Sequence, residues 1–266
     1  MIPIGDENPT LSTPWVTYLI LGGIAAVWFL VQGAGFDGYA LAASACTYGM
    51  VPGELTRLAE VGTGVPIADG LSCVVDREPI NTLTPFTSMF LHGGWGHLLG
   101  NSLFLWVFGN NIEDSMGHVR FAAFYVICGL AAAAAHVFVE PSSVLPTIGA
   151  SGAISGVMGA YLLLYPRVRV RMLFIFIIIF RVFRIPAWIV LVYWFALQIL
   201  EGLPQLSPGP ELTGGTAVWA HVGGFVAGVL LVKLFEDRKL VRRRSLVADA
   251  GAVWSDSKHP ADVHLK

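Results

Sequence analysis

The sequence predicts an all-α polytopic membrane protein, with six transmembrane helices gathered in one bundle. Three observations predict it. Of 266 residues, 55% are hydrophobic and only 13% are charged, about half the charged share of a soluble domain, and the mean hydropathy is +0.67. Six stretches are apolar over or near the roughly 17–25 residues that a bilayer-spanning helix needs, the second and fifth being short. The basic residues then fall almost wholly to one side of those six stretches. The composition argues against a soluble enzyme, a disordered chain or a nucleic-acid binder. A net charge of −2 supplies no basic field for a polyanion.

Residues 1–14 form an N-terminal segment whose only charges are Asp6 and Glu7. The first apolar stretch, Trp15–Val31, therefore lacks the basic flank of a signal peptide and is taken as the first span. Residues 34–83 mix Asp37, Glu54, Glu60, Asp69, Asp76 and Glu78 with Gly and Pro. That is too long for a turn and predicts a first loop packed on the outer surface. The remaining spans are Leu98–Ile112 with its approach from Thr84, then Phe121–Val139, Ile148–Tyr165, Pro186–Leu200 and Ala217–Phe235, so the membrane domain covers 15–235. Met172–Phe180 is apolar but too short to span. Fused to the next span, it would carry Arg181 and Arg184 into lipid at roughly 2.5–3.5 kcal/mol each. It is expected at the membrane interface as an amphipathic or extended piece. Residues 236–266 read as a basic cytoplasmic tail that turns polar and partly disordered.

Charge placement orients these spans. Of the 16 Lys and Arg, all but Arg57 and Arg77 lie between spans two and three, between spans four and five, or in the tail and the last turn of span six that leads into it. The segments 140–147 and 201–216 carry none. Cytoplasmic loops hold the excess of Lys and Arg. Both termini are therefore expected in the cytoplasm, consistent with a bacterial inner membrane, and spans two, four and six start at the outer side. Cys46 and Cys73 both fall in the outer first loop, where disulfides persist. A bridge and two free thiols are both open readings. Cys128, in the third span, is expected to stay reduced. The three cysteines have no metal-ligand spacing.

Polar side chains inside spans are functional candidates. His97 and Asn101 open the second span, Ser151 opens the fourth, and His221 lies near the start of the sixth. All three spans enter from the outer side, so a hydroxyl, an imidazole and an amide reach one level. These are the parts of a serine hydrolase: nucleophile, base and oxyanion donor. Each has a plainer reading. Ser151 sits among Gly149, Gly152, Gly156 and Gly159, which also suit close helix packing. His221 precedes Gly224 and Gly228 at GxxxG spacing and could serve a structural hydrogen bond. His97 and Asn101 share one helix face. His92 and His97 lack an HExxH pattern or clustered carboxylates, so no metal and no cofactor are expected. Glu113 lies about 18 Å along the helix from Asn101 and suits a structural acceptor better than a base. Trp188, Trp194 and Phe195 make the fifth span either a lateral gate or an aromatic membrane anchor.

Three segments together, His92-Gly-Gly-Trp-Gly-His97-Leu-Leu-Gly-Asn101, Gly149-Ala-Ser151-Gly152 and Ala220-His221-Val-Gly-Gly224-Phe-Val-Ala-Gly228, resemble the rhomboid intramembrane serine proteases of the six-span bacterial type. They stand in that family's order within 84–235. The resemblance implies a rhomboid-like bundle in which Ser151 is the nucleophile and His221 its base, with no third acidic member. It implies an oxyanion hole of His97, Asn101 and the Ser151 backbone N–H. It gives structural places near the site to His92, Glu113, Gly149, Gly152, Gly224 and Gly228. The implied activity is cleavage of single-span membrane proteins near the outer end of their transmembrane helix. Such substrates and the lipid bilayer are the implied partners, and nucleic acid is not among them. Two positions depart from the family. Ser155 stands where an aromatic residue often stacks on the His, and Leu83-Thr84 replace a Trp-Arg pair. Two rivals remain: a catalytically inactive rhomboid-like binder, against which Ser151 and His221 argue, and a small transporter, against which the lack of an internal repeat argues.

Overall fold

The computed structural model describes residues 1–68, 70–76, 81–176, 179–206 and 217–242. Asp69, Arg77 and Glu78 of the first loop, residues 207–216 and the tail from Arg243 onward lie outside the described residues. Each expected span is a helix: α1 Trp15–Leu30, then, after the short first-loop helices α2 Gly38–Tyr48, α3 Pro52–Thr56 and α4 Thr84–Thr87, α5 Trp95–Met116, α6 His118–Val139, α7 Ser151–Leu164, α8 Ala187–Gly202 and α9 Val218–Phe235. Among the described residues, only α6 and α9 combine the length and the apolarity to cross a bilayer unaided, while α1, α7 and α8 are shorter apolar helices. Helix α5 has 22 residues but carries Asn110, Asn111, Glu113 and Asp114 in its last two turns. Gly117, at φ +77, is the sole residue between α5 and α6, a backbone angle that glycine adopts without strain.

Helix α7 is the centre of the bundle. From Gly152 to Tyr161 every residue is buried, as expected for a helix apolar on all sides. It can be central because its neighbours come very close. A methyl added at Gly224 would collide with the Gly152 carbonyl, and one at Gly228 with the Gly156 carbonyl. On the other flank, a side chain at Gly156 would strike Cys128 of α6, which is buried and unpaired as a free thiol. Small-residue seams of this kind bring helices together where no water is available to drive apolar association.

The chain is mostly helical but not all-α. Strands β4 (Arg169–Phe176) and β5 (Ile179–Pro186) form an antiparallel hairpin. On the other edge of β4 lies β1 (Ile2–Asp6), giving the order β1-β4-β5 once the first-loop hairpin β2 (Gly64–Ala68) and β3 (Leu71–Val74) is numbered between them. The described parts of the Met172–Phe180 segment, 172–176 and 179–180, are thus extended. The reason is a period of two: Val170 and Met172 are buried, whereas the alternating Arg169 and Arg171 face out. The N-terminal strand is fastened to the bundle through Asp6, which accepts from Asn111 Nδ2 and Tyr161 Oη at 2.5 Å each. Glu7 pairs with Arg184 at 3.1 Å.

The first loop is a folded cap. Asp37 caps α2 by accepting from the Tyr39 and Ala40 N–H groups. A disulfide joins Cys46 of α2 to Cys73 of β3, with the Cα atoms 5.3 Å apart. The cap also holds the irregular chain between α6 and α7. Met50 and Thr147 exchange both backbone hydrogen bonds, the Gly53 N–H donates to the Ser143 carbonyl, and Thr56 Oγ1 donates to the Pro141 carbonyl. Backbone that would otherwise bury unpaired polar groups is satisfied in this way.

Candidate active site

Helix α7 begins at Ser151 because the chain turns at Gly149. Its φ is +129, a region closed to other residues without strain, and its N–H donates to the Ser88 carbonyl at 2.9 Å. As the first residue of α7, Ser151 has a backbone N–H with no carbonyl to bond inside the helix. Its Oγ lies 2.6 Å from Nε2 of His221, which is in the first turn of α9. The glycine seam between α7 and α9 makes this approach possible. On the far edge of the ring, His221 Nδ1 is 2.5 Å from Gln198 Oε1 on α8. The Trp194 ring, one helical turn before Gln198, lies 5.9 Å from the imidazole, tilted by 40°. Ser155 Oγ donates back to the Ser151 carbonyl at 2.6 Å.

On α5, His97 Nδ1 accepts from the Gly93 N–H at 3.3 Å. With Nδ1 as acceptor, the ring proton of neutral His97 sits on Nε2. A Cβ built on Gly149 would lie 2.8 Å from His97 Nε2 and 3.5 Å from Ser151 Oγ, so both groups border the same glycine. A side chain at Gly149 would fill the space between them. Asn101, one turn further along α5, is buried, and its Nδ2 has no hydrogen-bond partner among the described residues. Such an amide is a donor in waiting, since nearly all buried polar groups are paired. A cavity of about 30 Å³ opens beside Ser151, with Met50, Met89, Gly129, Ala132 and Ile148 in its wall. That is room for a water molecule or two.

The remaining expected residues are placed around this centre. His92 is fully buried, with its ring against that of His97 at 5.0 Å. Its backbone N–H and carbonyl are both held by the Gln32 side-chain amide at 2.9 Å. Glu113 is remote from the site. It accepts from the Val16 and Thr17 N–H groups and from Thr17 Oγ1, and pairs with His118 Nδ1, tying the start of α1 to the end of α5. Among the described residues no group of three His, Cys, Asp or Glu is arranged to hold a metal. Sequence reasoning missed Gln198 and also His136, which is buried on α6 with Nδ1 unpartnered among the described residues. One signal marks both. Each is a lone strongly polar side chain near one end of an apolar run.

Comparison with known proteins adds to this geometry. A family model described as Rhomboid domain matches residues 81–237. Rhomboid protein 1, mitochondrial, of Saccharomyces cerevisiae is 30% identical over 150 residues, which cover 54% of this chain and 39% of that protein. RHOMBOID-like protein 1 of Arabidopsis thaliana is 30% identical over 168 residues, 62% of this chain and 37% of that protein. Rhomboid protease GluP of Bacillus subtilis is 38% identical over 91 residues, 34% of this chain and 17% of that protein. The chain spans less than half the length of each of these relatives.

Proposed function

Because the chain belongs to the rhomboid family, we propose that it is an intramembrane serine endopeptidase working through a Ser151–His221 dyad. The observation that carries this reading is the 2.6 Å contact between Ser151 Oγ and His221 Nε2, made by two different helices inside an otherwise apolar bundle. Ser151 Oγ attacks the scissile carbonyl carbon while its proton passes to His221 Nε2. The developing oxyanion accepts from the Ser151 N–H, His97 Nε2–H and Asn101 Nδ2–H. His221 returns the proton to the leaving amine, and water then repeats the sequence on the acyl-enzyme.

In this reading α1 and α5 to α9 are the six spans, both termini are cytoplasmic in a bacterial inner membrane, and the cap formed by 34–83 is outside. The 14 residues of α7 measure about 21 Å, against a hydrocarbon core of roughly 30 Å. Ser151 then lies below the outer surface, reached by water from that side. The substrate class is a single-span protein. A peptide bond within a helix is hidden by its own hydrogen bonds, so Gly, Pro or polar residues near the helix's outer end would expose it.

The test is incubation of detergent-solubilised protein with a single-span test substrate. Wild type cleaves it, and Ser151→Ala does not, with its thermal midpoint nearly unchanged because only one oxygen is lost. Turnover by clean Ser151→Ala protein would overturn the serine mechanism. Substrate retained but never cut by wild type would favour the inactive-binder alternative.

A further inference from the structure

Helix α8 carries one amide, Gln198, on an otherwise apolar stretch up to Leu200. A buried amide is costly unless paired. Gln198 is 8% exposed, and its Oε1 meets Nδ1 of His221, also 8% exposed, at 2.5 Å. Trp194, four residues earlier and so on the same face, sets its ring beside the imidazole, with centroids 5.9 Å apart and planes tilted by 40°. The base is therefore bonded at Nδ1 and flanked by a ring from one helix that contributes no reacting atom. Helix α7 offers no equivalent, because Ser155 turns its hydroxyl back to the Ser151 carbonyl.

The chemistry of the contact is directional. An amide oxygen only accepts, so Nδ1 must carry the imidazole proton, which leaves the Nε2 lone pair facing Ser151 Oγ. The opposite tautomer would put a proton on Nε2, and the ring could not take the serine proton. On the premise that Ser151 and His221 form the dyad, we infer that Gln198 is a positioning residue that fixes the tautomer and orientation of His221. Its role is the one a buried carboxylate fills in three-membered serine sites, here filled by a neutral side chain. The amide selects the tautomer without carrying a charge. The outer face of α8 bears exposed Trp188, Val192, Tyr193, Leu197 and Leu200, so the element that orients the base is also a peripheral one. Displacing α8 from α9 would release the base.

The experiment compares full-length wild type, Gln198→Met and Gln198→Glu in detergent. It reads cleavage kinetics on the single-span test substrate, the rate of Ser151 modification by a fluorophosphonate, and the His221 tautomer by nitrogen NMR of labelled imidazole. In the modification the Oγ–P bond forms, fluoride leaves, and His221 takes the proton. Gln198→Met is expected to lower kcat and the modification rate at least about tenfold with KM within about twofold, the pattern of a lost transition-state contribution. It should also convert a Nδ1-protonated ring into a tautomer mixture. Gln198→Glu keeps an acceptor oxygen at the same reach and should restore most of the rate. Equal loss in both variants together with a lowered thermal midpoint would assign Gln198 a packing role and overturn the inference, as would a Gln198→Met protein with wild-type kcat and tautomer. If wild type neither cleaves substrate nor reacts with the fluorophosphonate, the protease reading fails. The tautomer comparison still decides for or against Gln198.

Discussion

Asn101 is the residue whose resting state says most about its working state. Its buried Nδ2 has no partner among the described residues, a cost that the proposed mechanism recovers when an oxyanion forms beside it. Asn101→Ala should lower kcat by about 10²–10³ with little change in KM, measured by steady-state cleavage. A loss below about threefold would leave Asn101 a packing role. Ser151, His221, His97 and Asn101 could be read from the sequence because each is polar where its surroundings are apolar, and because the charge pattern put their helix starts at one level. Gln198 obeys the same rule and was passed over. Its contact with His221 depends on the rotation of α8 about its own axis, and hydropathy along a helix that is apolar nearly all round does not set that rotation. The Trp194–His221 ring contact was hidden for the same reason: the aromatic comes from a different helix than the family pattern suggests.

At the scale of elements, hydropathy located all six long helices within a few residues. Their ends shifted where polar or glycine residues extend a helix beyond its apolar run, as in the 22-residue α5. The hairpin of β4 and β5 was half legible. Its bounding arginines excluded a span, but its pairing with β1 joins residues 2–6 to 170–173, a non-local contact that no local pattern announces. The cap was legible as a packed loop only, and whether Cys46 and Cys73 join was settled by geometry. That bridge has a measurable consequence. Reductant, or Cys46→Ser, should lower the thermal midpoint by the equivalent of roughly 3 kcal/mol on the chain-entropy account. Identical melting of oxidised and reduced wild type would mean that the cap needs no cross-link.

For the whole molecule, the decisive prediction is topological. A reporter fused after Lys266 should read cytoplasmic and one inserted near Pro208 should read external, as the positive-inside rule requires of this charge pattern. Both positions lie outside the described residues. The opposite result would mean an inverted orientation or an odd number of crossings. The small sheet bears on the same question through parity. Backbone hydrogen bonds cannot be made through a bilayer, so β1 and β4 must lie on the same side of any membrane the chain crosses. The chain between Asp6 and Arg169 must then traverse that membrane an even number of times. Four long helices, α1, α5, α6 and α7, lie in that interval. Were one of them to lie flat on the surface, a second would have to do the same, or the sheet could not form. The pairing also sets an order of assembly. The first strand made waits at the membrane face until its partner, more than 160 residues later, is delivered to the same side, and a chain inserted with the wrong count leaves β1 with nothing to pair with.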